Sequence, residues 1–312
     1  MTKIIVFNRY AADCKNILGF SKSFGEILIN SLVDIGFNVE YVSDTTAIKN
    51  VKDSLVLSII SPTAMMGVHN EIHKSNRHIW WNIEPISIQN NEKDTEILKT
   101  RRLVCDSIIS DICGHGIHKV LLFDKNQVDL YRNNNVHFLP IGFHECLLGH
   151  DKTLTYGVKK TKYALVGDLS LYRRSFLSRA MVHLPREVYE IQSFGHRCFR
   201  GLEHEKRVLF YFRFGLDIPA CFKQQHIHWH RFMVYAARQM VLISSSDLSD
   251  YGFVDTVHYF HYKSLCHFVD IIKHLHTVSK YDTEIIANNM LTKMKNDFYM
   301  PNLLNEVLGD IK

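Results

Sequence analysis

The feature that most constrains this chain is an alternation of short, mainly apolar runs with stretches of helical spacing. Residues 4–7, 39–42, 55–60, 79–83, 120–123 and 137–141 read as strands. Apolar runs of this length, separated by helices, fit a parallel sheet covered on both faces. There, neither face of a strand meets water, and each crossover needs a helix. Between the first two runs, Phe24, Ile27, Leu28, Leu32 and Ile35 keep helical spacing over residues 21–35, and Gly36 follows where a helix C-cap glycine belongs. The pattern breaks over residues 142–162, where polar residues, glycines and lysines follow one another without periodicity. It restarts with a strand at 163–166, the turn Gly167-Asp168-Leu169-Ser170 and a helix over 171–182. Further strands are expected at 188–191, 208–212, 241–244 and 257–260. Helices are expected at 229–239 and 264–275, with one or two more between 282 and 308.

Two successive βαβ domains follow: an N-terminal one over 1–150 and a C-terminal one over 151–280, with the helices of 281–312 packing back towards the first. A length of 312 residues exceeds one typical domain, and 46% hydrophobic residues suffice for two cores. No apolar run approaches the roughly 18 residues of a membrane span, and the apolar N-terminal stretch is too short for a signal peptide. A cytoplasmic protein is therefore expected. Cys14, Cys105, Cys113, Cys146, Cys198, Cys221 and Cys266 are scattered without a C-x-x-C pair, which argues against a disulfide framework and a structural zinc site. A formal charge of +5 suits a phosphate-rich ligand or a nucleic acid without selecting either.

Several residues carry chemistry. Gly167, Asp168 and Ser170 lie between a strand end and a helix start, where free N–H groups attract anions. Arg173 and Arg174 follow within the first helical turn and suit charge-assisted bonds to a diphosphate. The plain alternative is a tight turn with a serine cap and a solvated basic pair. Glu84 closes the aromatic strand at 79–83, at the end of a parallel strand where ligands collect, and is a candidate general base. Asp13 and His69 rival it, and capping is the alternative role for Glu84. His226, His228 and His230 alternate, but no nearby carboxylate or cysteine completes a metal motif, so no metal site is expected.

The runs FLPIGF at 138–143 and ALVGDLSLYRR at 164–174 resemble segments of the GT-B glycosyltransferases, especially the spore-maturation-type and group 1 families. So do His230-Arg231-Phe232, Ala236-Ala237, the strand at 241–244 and the run at 257–260. Where these families carry a glutamate and a glycine, this chain has residues such as Val234, Tyr235, Arg238 and Gln239. The resemblance implies an α/β protein of two Rossmann-like domains facing each other across a cleft. It implies a glycosyltransferase that moves a sugar from a nucleotide-sugar donor to an acceptor hydroxyl. The nucleotide sugar is a co-substrate, and no other cofactor is implied. His230 and Arg231 then open the donor-site helix, with Arg231 neutralising the departing diphosphate, and Asp247 and Asp250 contact donor hydroxyls or cap their turns. The chain has no D-x-D motif, which favours a metal-independent enzyme. The acceptor expected is a saccharide or other small molecule. DNA with hydroxymethylated pyrimidines is the second reading, and a non-catalytic protein that binds a nucleotide sugar or a partner is the third. Gly167, Arg173 and Arg231 are expected to share one phosphate pocket, and Arg231→Ala to weaken diphosphate binding while leaving the fold intact.

Overall fold

A computed structural model describes residues 2–7, 22–84, 86, 96–148, 156–167, 169–185, 191–194, 202–219 and 227–311. The chain divides into two compact units. Unit 1 comprises Met1–Ile141 with Met300–Lys312, and unit 2 comprises Gly142–Tyr299.

Unit 1 contains β1 (Thr2–Phe7), α1 (Lys22–Asp34), β2 (Phe37–Val42), α2 (Thr45–Lys49), β3 (Leu55–Ile59), α3 (Pro62–Met65), β4 (Arg77–Asn82), α4 (Glu96–Ser110), β5 (Ile117–Leu122), α5 (Lys125–Val128) and β6 (Val136–Phe138). Its six strands pair in the order β2-β1-β3-β4-β5-β6, all parallel. Every residue of β3 is buried, as a strand covered on both faces must be. Trp80 and Trp81 point to opposite faces of β4 and are both fully buried. Each indole N–H finds a backbone carbonyl: Trp80 donates to Ile60 O at 2.9 Å and Trp81 to Leu139 O at 3.1 Å. These bonds satisfy the only polar atom of each ring, so the aromatic run is buried without an unmet donor.

Unit 2 contains β7 (Lys160–Val166), α6 (Leu171–Met181), β8 (Ile191–Phe194), α7 (Leu202–Phe210), β9 (Phe212–Asp217), α8 (Trp229–Ala237), β10 (Val241–Ser244), β11 (Tyr259–His261), α9 (Leu265–Thr277) and α10 (Lys280–Asp297). Its five strands pair in parallel in the order β11-β10-β9-β7-β8. Helix α11 (Met300–Leu308) belongs to unit 1 and packs on α1. The chain is thus an α/β protein with two Rossmann-like parallel sheets, as expected. No helix among the described residues is long and apolar enough to cross a membrane.

Three strand expectations need correction. The strand expected at 257–260 begins only at Tyr259, and the one expected at 188–191 meets β8 at Ile191 alone, with 188–190 outside the described residues. The one expected at 208–212 falls mostly on a helix. Residues 208–210 end helix α7, and the strand begins at Phe212. Glu203 and Glu205 in the first turn of α7 and Arg207 in its last complement the helix dipole, so the helix extends through the apolar residues. In the true strand, Phe212, Phe214 and Leu216 alternate with Arg213, Gly215 and Asp217. That pattern normally marks a strand with one wet face. Here all six residues are buried, because Gly215 and Asp217 meet Tyr235 and Arg231 of α8.

Candidate functional site

In unit 2, β8 follows β7 on one side while β9, β10 and β11 continue on the other. The order therefore reverses between β7 and β9, and a crevice opens at the carboxyl ends of strands where this happens. Gly167 ends β7 there with φ +133°, a conformation that favours glycine. Its N–H donates to Phe194 O at 2.8 Å. Ser170 N-caps α6, its Oγ accepting the Arg173 N–H at 3.2 Å. This bond fixes the first turn of α6 beside the end of β7. Arg173 is buried, and its Nε donates to Ile218 O, just past β9, at 2.8 Å. Arg174 is exposed and folds back to give its Nε–H to Leu169 O at 3.1 Å.

Arg231, in the first turn of α8, reaches the same place. Its Nη1 donates to Asp217 Oδ1 at 2.7 Å and approaches Ile218 O at 3.4 Å. A Cβ built on Gly167 would lie 2.7 Å from Arg231 Nη2 and 3.2 Å from Arg173 Nη1. Two guanidinium groups therefore meet over the bare Cα of Gly167, and any larger residue would displace them. Gly167, Arg173 and Arg231 thus lie together at the end of β7.

Asp217 organises this pocket. It is fully buried at the end of β9; Ser244 Oγ donates to its Oδ2 at 2.8 Å, and His228 Nδ1 lies 2.8 Å from its Oδ1. Burial opposes ionisation of Asp217, but His228, Arg231 and Ser244 outweigh it and hold the carboxyl far below the usual range. Burial, and then the Arg231 charge, push His228 down to about 4. At neutral pH His228 is an uncharged ring whose Nδ1–H faces the carboxylate. The guanidinium groups of Arg173 and Arg231 and the carboxylate of Asp217 are thus gathered in one buried crevice. Arg231 Nε is also buried without a hydrogen-bond partner. Such a crevice suits an anion with several acceptor oxygens.

The other candidates fall elsewhere. Asp13, Asp168 and His226 lie outside the described residues. His230 is buried, its ring edge-on to that of His228 at 6.3 Å. No group of three or more metal-ligating side chains is placed to hold a metal ion among the described residues. Asp247 and Asp250 follow β10 in unit 2, and Asp247 Oδ1 accepts the Ser249 N–H at 3.0 Å, as a turn cap does. That bond and the Ser249 side chain lower the Asp247 pKa. Asp250 is exposed in the 3-10 turn of residues 249–251. In unit 1, Glu84 follows β4, its N–H donating to Asn82 Oδ1 at 2.9 Å and its carboxylate ion-paired with Arg101 of α4. The ring of His69 packs edge-on to that of His115, just before β5, at 4.8 Å. This places it towards the amino edge of the sheet, away from Glu84.

Two expectations change. Arg231 is 3% exposed and ion-paired, so its removal will cost stability as well as binding. Asp217 was missed, because with residues 208–212 read as the strand it was not at a strand end.

No family model matches the chain, and no curated protein matches it in sequence. Its fold is shared with solved structures. HepE from Anabaena, in complex with UDP and glucose, superposes with a TM-score of 0.68 at 9% identity, covering 100% of this chain and 99% of that one. Sucrose-phosphate synthase from Thermosynechococcus elongatus gives 0.63 at 8% identity over 100% and 98%. TarM from S. aureus, in complex with fondaparinux, alpha-GlcNAc-glycerol and UDP, gives 0.62 at 12% identity over 85% of this chain, which spans 56% of TarM. With two parallel Rossmann-like sheets and these similarities, the chain has the GT-B fold of nucleotide-sugar glycosyltransferases.

Proposed function

We propose that this protein is a glycosyltransferase that binds the diphosphate of a nucleotide-sugar donor over Gly167 in unit 2. The observation that carries the reading is the meeting of Arg173 and Arg231 at the end of β7, where the strand order reverses. HepE binds UDP at comparable fold similarity, and an alpha1,3-fucosyltransferase of the same fold, at a TM-score of 0.56, was solved with GDP. When the sugar departs, negative charge grows on the nucleoside diphosphate. Two fixed guanidinium groups and the N-terminus of α6 stabilise that charge without reorganising. The acceptor we favour is a saccharide or other small hydroxyl compound.

Calorimetry with UDP, GDP and the corresponding nucleosides tests the donor site, and transfer of labelled sugar from a panel of nucleotide sugars tests the activity. The diphosphates should bind roughly 10- to 150-fold more tightly than the nucleosides, as expected when one charge-assisted hydrogen bond distinguishes them. Equal affinities would end this reading. Gly167→Ala should lose about tenfold or more in diphosphate affinity, since it adds backbone strain and a methyl where Arg231 Nη2 lies. An unchanged affinity would mean that the ligand does not sit over Gly167. Transfer should survive a chelator, with the two arginines serving in place of a divalent ion. Loss of transfer with EDTA and its return with manganese would refute that part.

A further inference from the structure

Strands β7 and β9 pair, with one register shift between Lys160 and Tyr163, as far as Ala164 opposite Gly215, and both then run on, to Val166 and Asp217. Beyond that last pair a side chain enters the ladder. The Val166 N–H donates to the hydroxyl of Tyr235 at 2.9 Å, and that hydroxyl donates onward to Leu216 O at 3.0 Å, with Ala164 O at 3.3 Å. Tyr235 comes from α8, is fully buried, and lies flat against Gly215, where a Cβ would come within 2.5 Å of the ring. Gly215 therefore makes room for the ring, and the ring delivers one hydroxyl between two strand ends. A phenol oxygen inserted between an N–H and a carbonyl lengthens what would otherwise be a single interstrand bond. The opening leads directly to the pocket: Gly167 follows Val166, and Asp217 and Ile218 follow Leu216.

We propose that Tyr235 is a positioning residue for the diphosphate site, its hydroxyl holding the ends of β7 and β9 apart so that Arg173 and Arg231 can meet over Gly167. This rests on the donor-site reading above. Tyr235 does not touch the ligand; it acts through the spacing of the strands that carry the two arginine contacts.

The test is Tyr235→Phe, which keeps the ring against Gly215 and removes only the hydroxyl. Calorimetry with UDP and with uridine should show about a tenfold loss for UDP and little change for uridine. A crystal structure of the variant should show Val166 N bonded directly to Leu216 O. A general loss of structure would weaken both ligands alike, and that result, or an unchanged UDP affinity, overturns the proposal. If the variant does not fold, a ring-fluorinated tyrosine at position 235 keeps the shape and alters only the hydroxyl's hydrogen bonds. UDP affinity that does not respond to fluorination then overturns it. If the parent protein binds UDP no better than uridine, the donor-site reading fails and this inference with it. If the parent discriminates and both Tyr235 variants discriminate equally, only this inference fails.

Discussion

Asp217→Ala is expected to destabilise unit 2 by about 3–5 kcal/mol, because it leaves a buried guanidinium without its counter-charge. The Asp217 carboxylate is 1% exposed, accepts hydrogen bonds from Arg231 and Ser244, and lies 2.8 Å from His228 Nδ1. Removing it takes the counter-charge from Arg231, which is 3% exposed, and the shared acceptor from Ser244 and His228. Arg231→Ala should cost less, since His228 and Ser244 still hold the carboxylate. The double variant should be less destabilised than the sum of the two, because neither charge is then orphaned. Urea denaturation of the three variants measures these differences. A loss below about 1 kcal/mol for Asp217→Ala would mean that the buried ion pair is not formed. Since Arg231 owes its direction to Asp217, Asp217→Asn should also lose diphosphate affinity without touching the ligand.

The second large effect is acid lability. His78, 1% exposed with its Nε2 on Ser58 Oγ at 2.8 Å, is pushed down to about 3 by burial and then by His118 and His69. His228 in unit 2 is held at about 4. In both cases the folded pKa lies below the unfolded value of about 6.5, so the unfolded chain binds more protons between the two. The stability is fully present above pH 6.5 and falls as the pH drops towards 4 and 3. Each histidine contributes a slope of about 1.4 kcal/mol per pH unit in that window. Asp217 works in the same direction lower down, its contribution being lost below its unfolded pKa of about 4. Thermal denaturation between pH 7.5 and 4.5 should show a steep decline that His78→Gln flattens for unit 1. A parent protein equally stable at pH 7 and pH 5 would contradict the buried, neutral state of both rings.

Central strands such as β3 and β4 were legible because they are covered on both faces and so read as apolar runs, whereas the partly buried β8 was placed three residues too early. Strand β9 was not legible, because its second face is filled by the site: Gly215 and Asp217 answer to α8, and a reader without that helix sees a polar, broken stretch. The convergence of Gly167, Arg173 and Arg231 could be read from parallel-sheet geometry, which gathers strand ends and helix starts along one edge. The burial of Arg231 could not, since nothing in its own helix distinguishes it from a surface arginine. It depends on a carboxylate fourteen residues earlier in sequence. The signal that would have revealed it is the alternation at 212–217, which ends on Asp217.

The path of the chain between units has a consequence of another kind. Residues 142–299 leave unit 1 after Ile141 and return to it at Met300. The two ends of that stretch are joined, with Phe143 and Tyr299 forming a parallel bridge and the Phe143 N–H donating to Phe298 O at 2.6 Å. Unit 2 is therefore an inserted cassette with adjacent entry and exit. During synthesis, unit 1 lacks α11 until the whole cassette has been made, so the face of α1 that α11 covers stays exposed for that time. The cassette, in contrast, closes on itself as soon as Tyr299 emerges. Its neighbouring ends suit excision or circular permutation with a short joint, and the arginine pocket would travel with it intact.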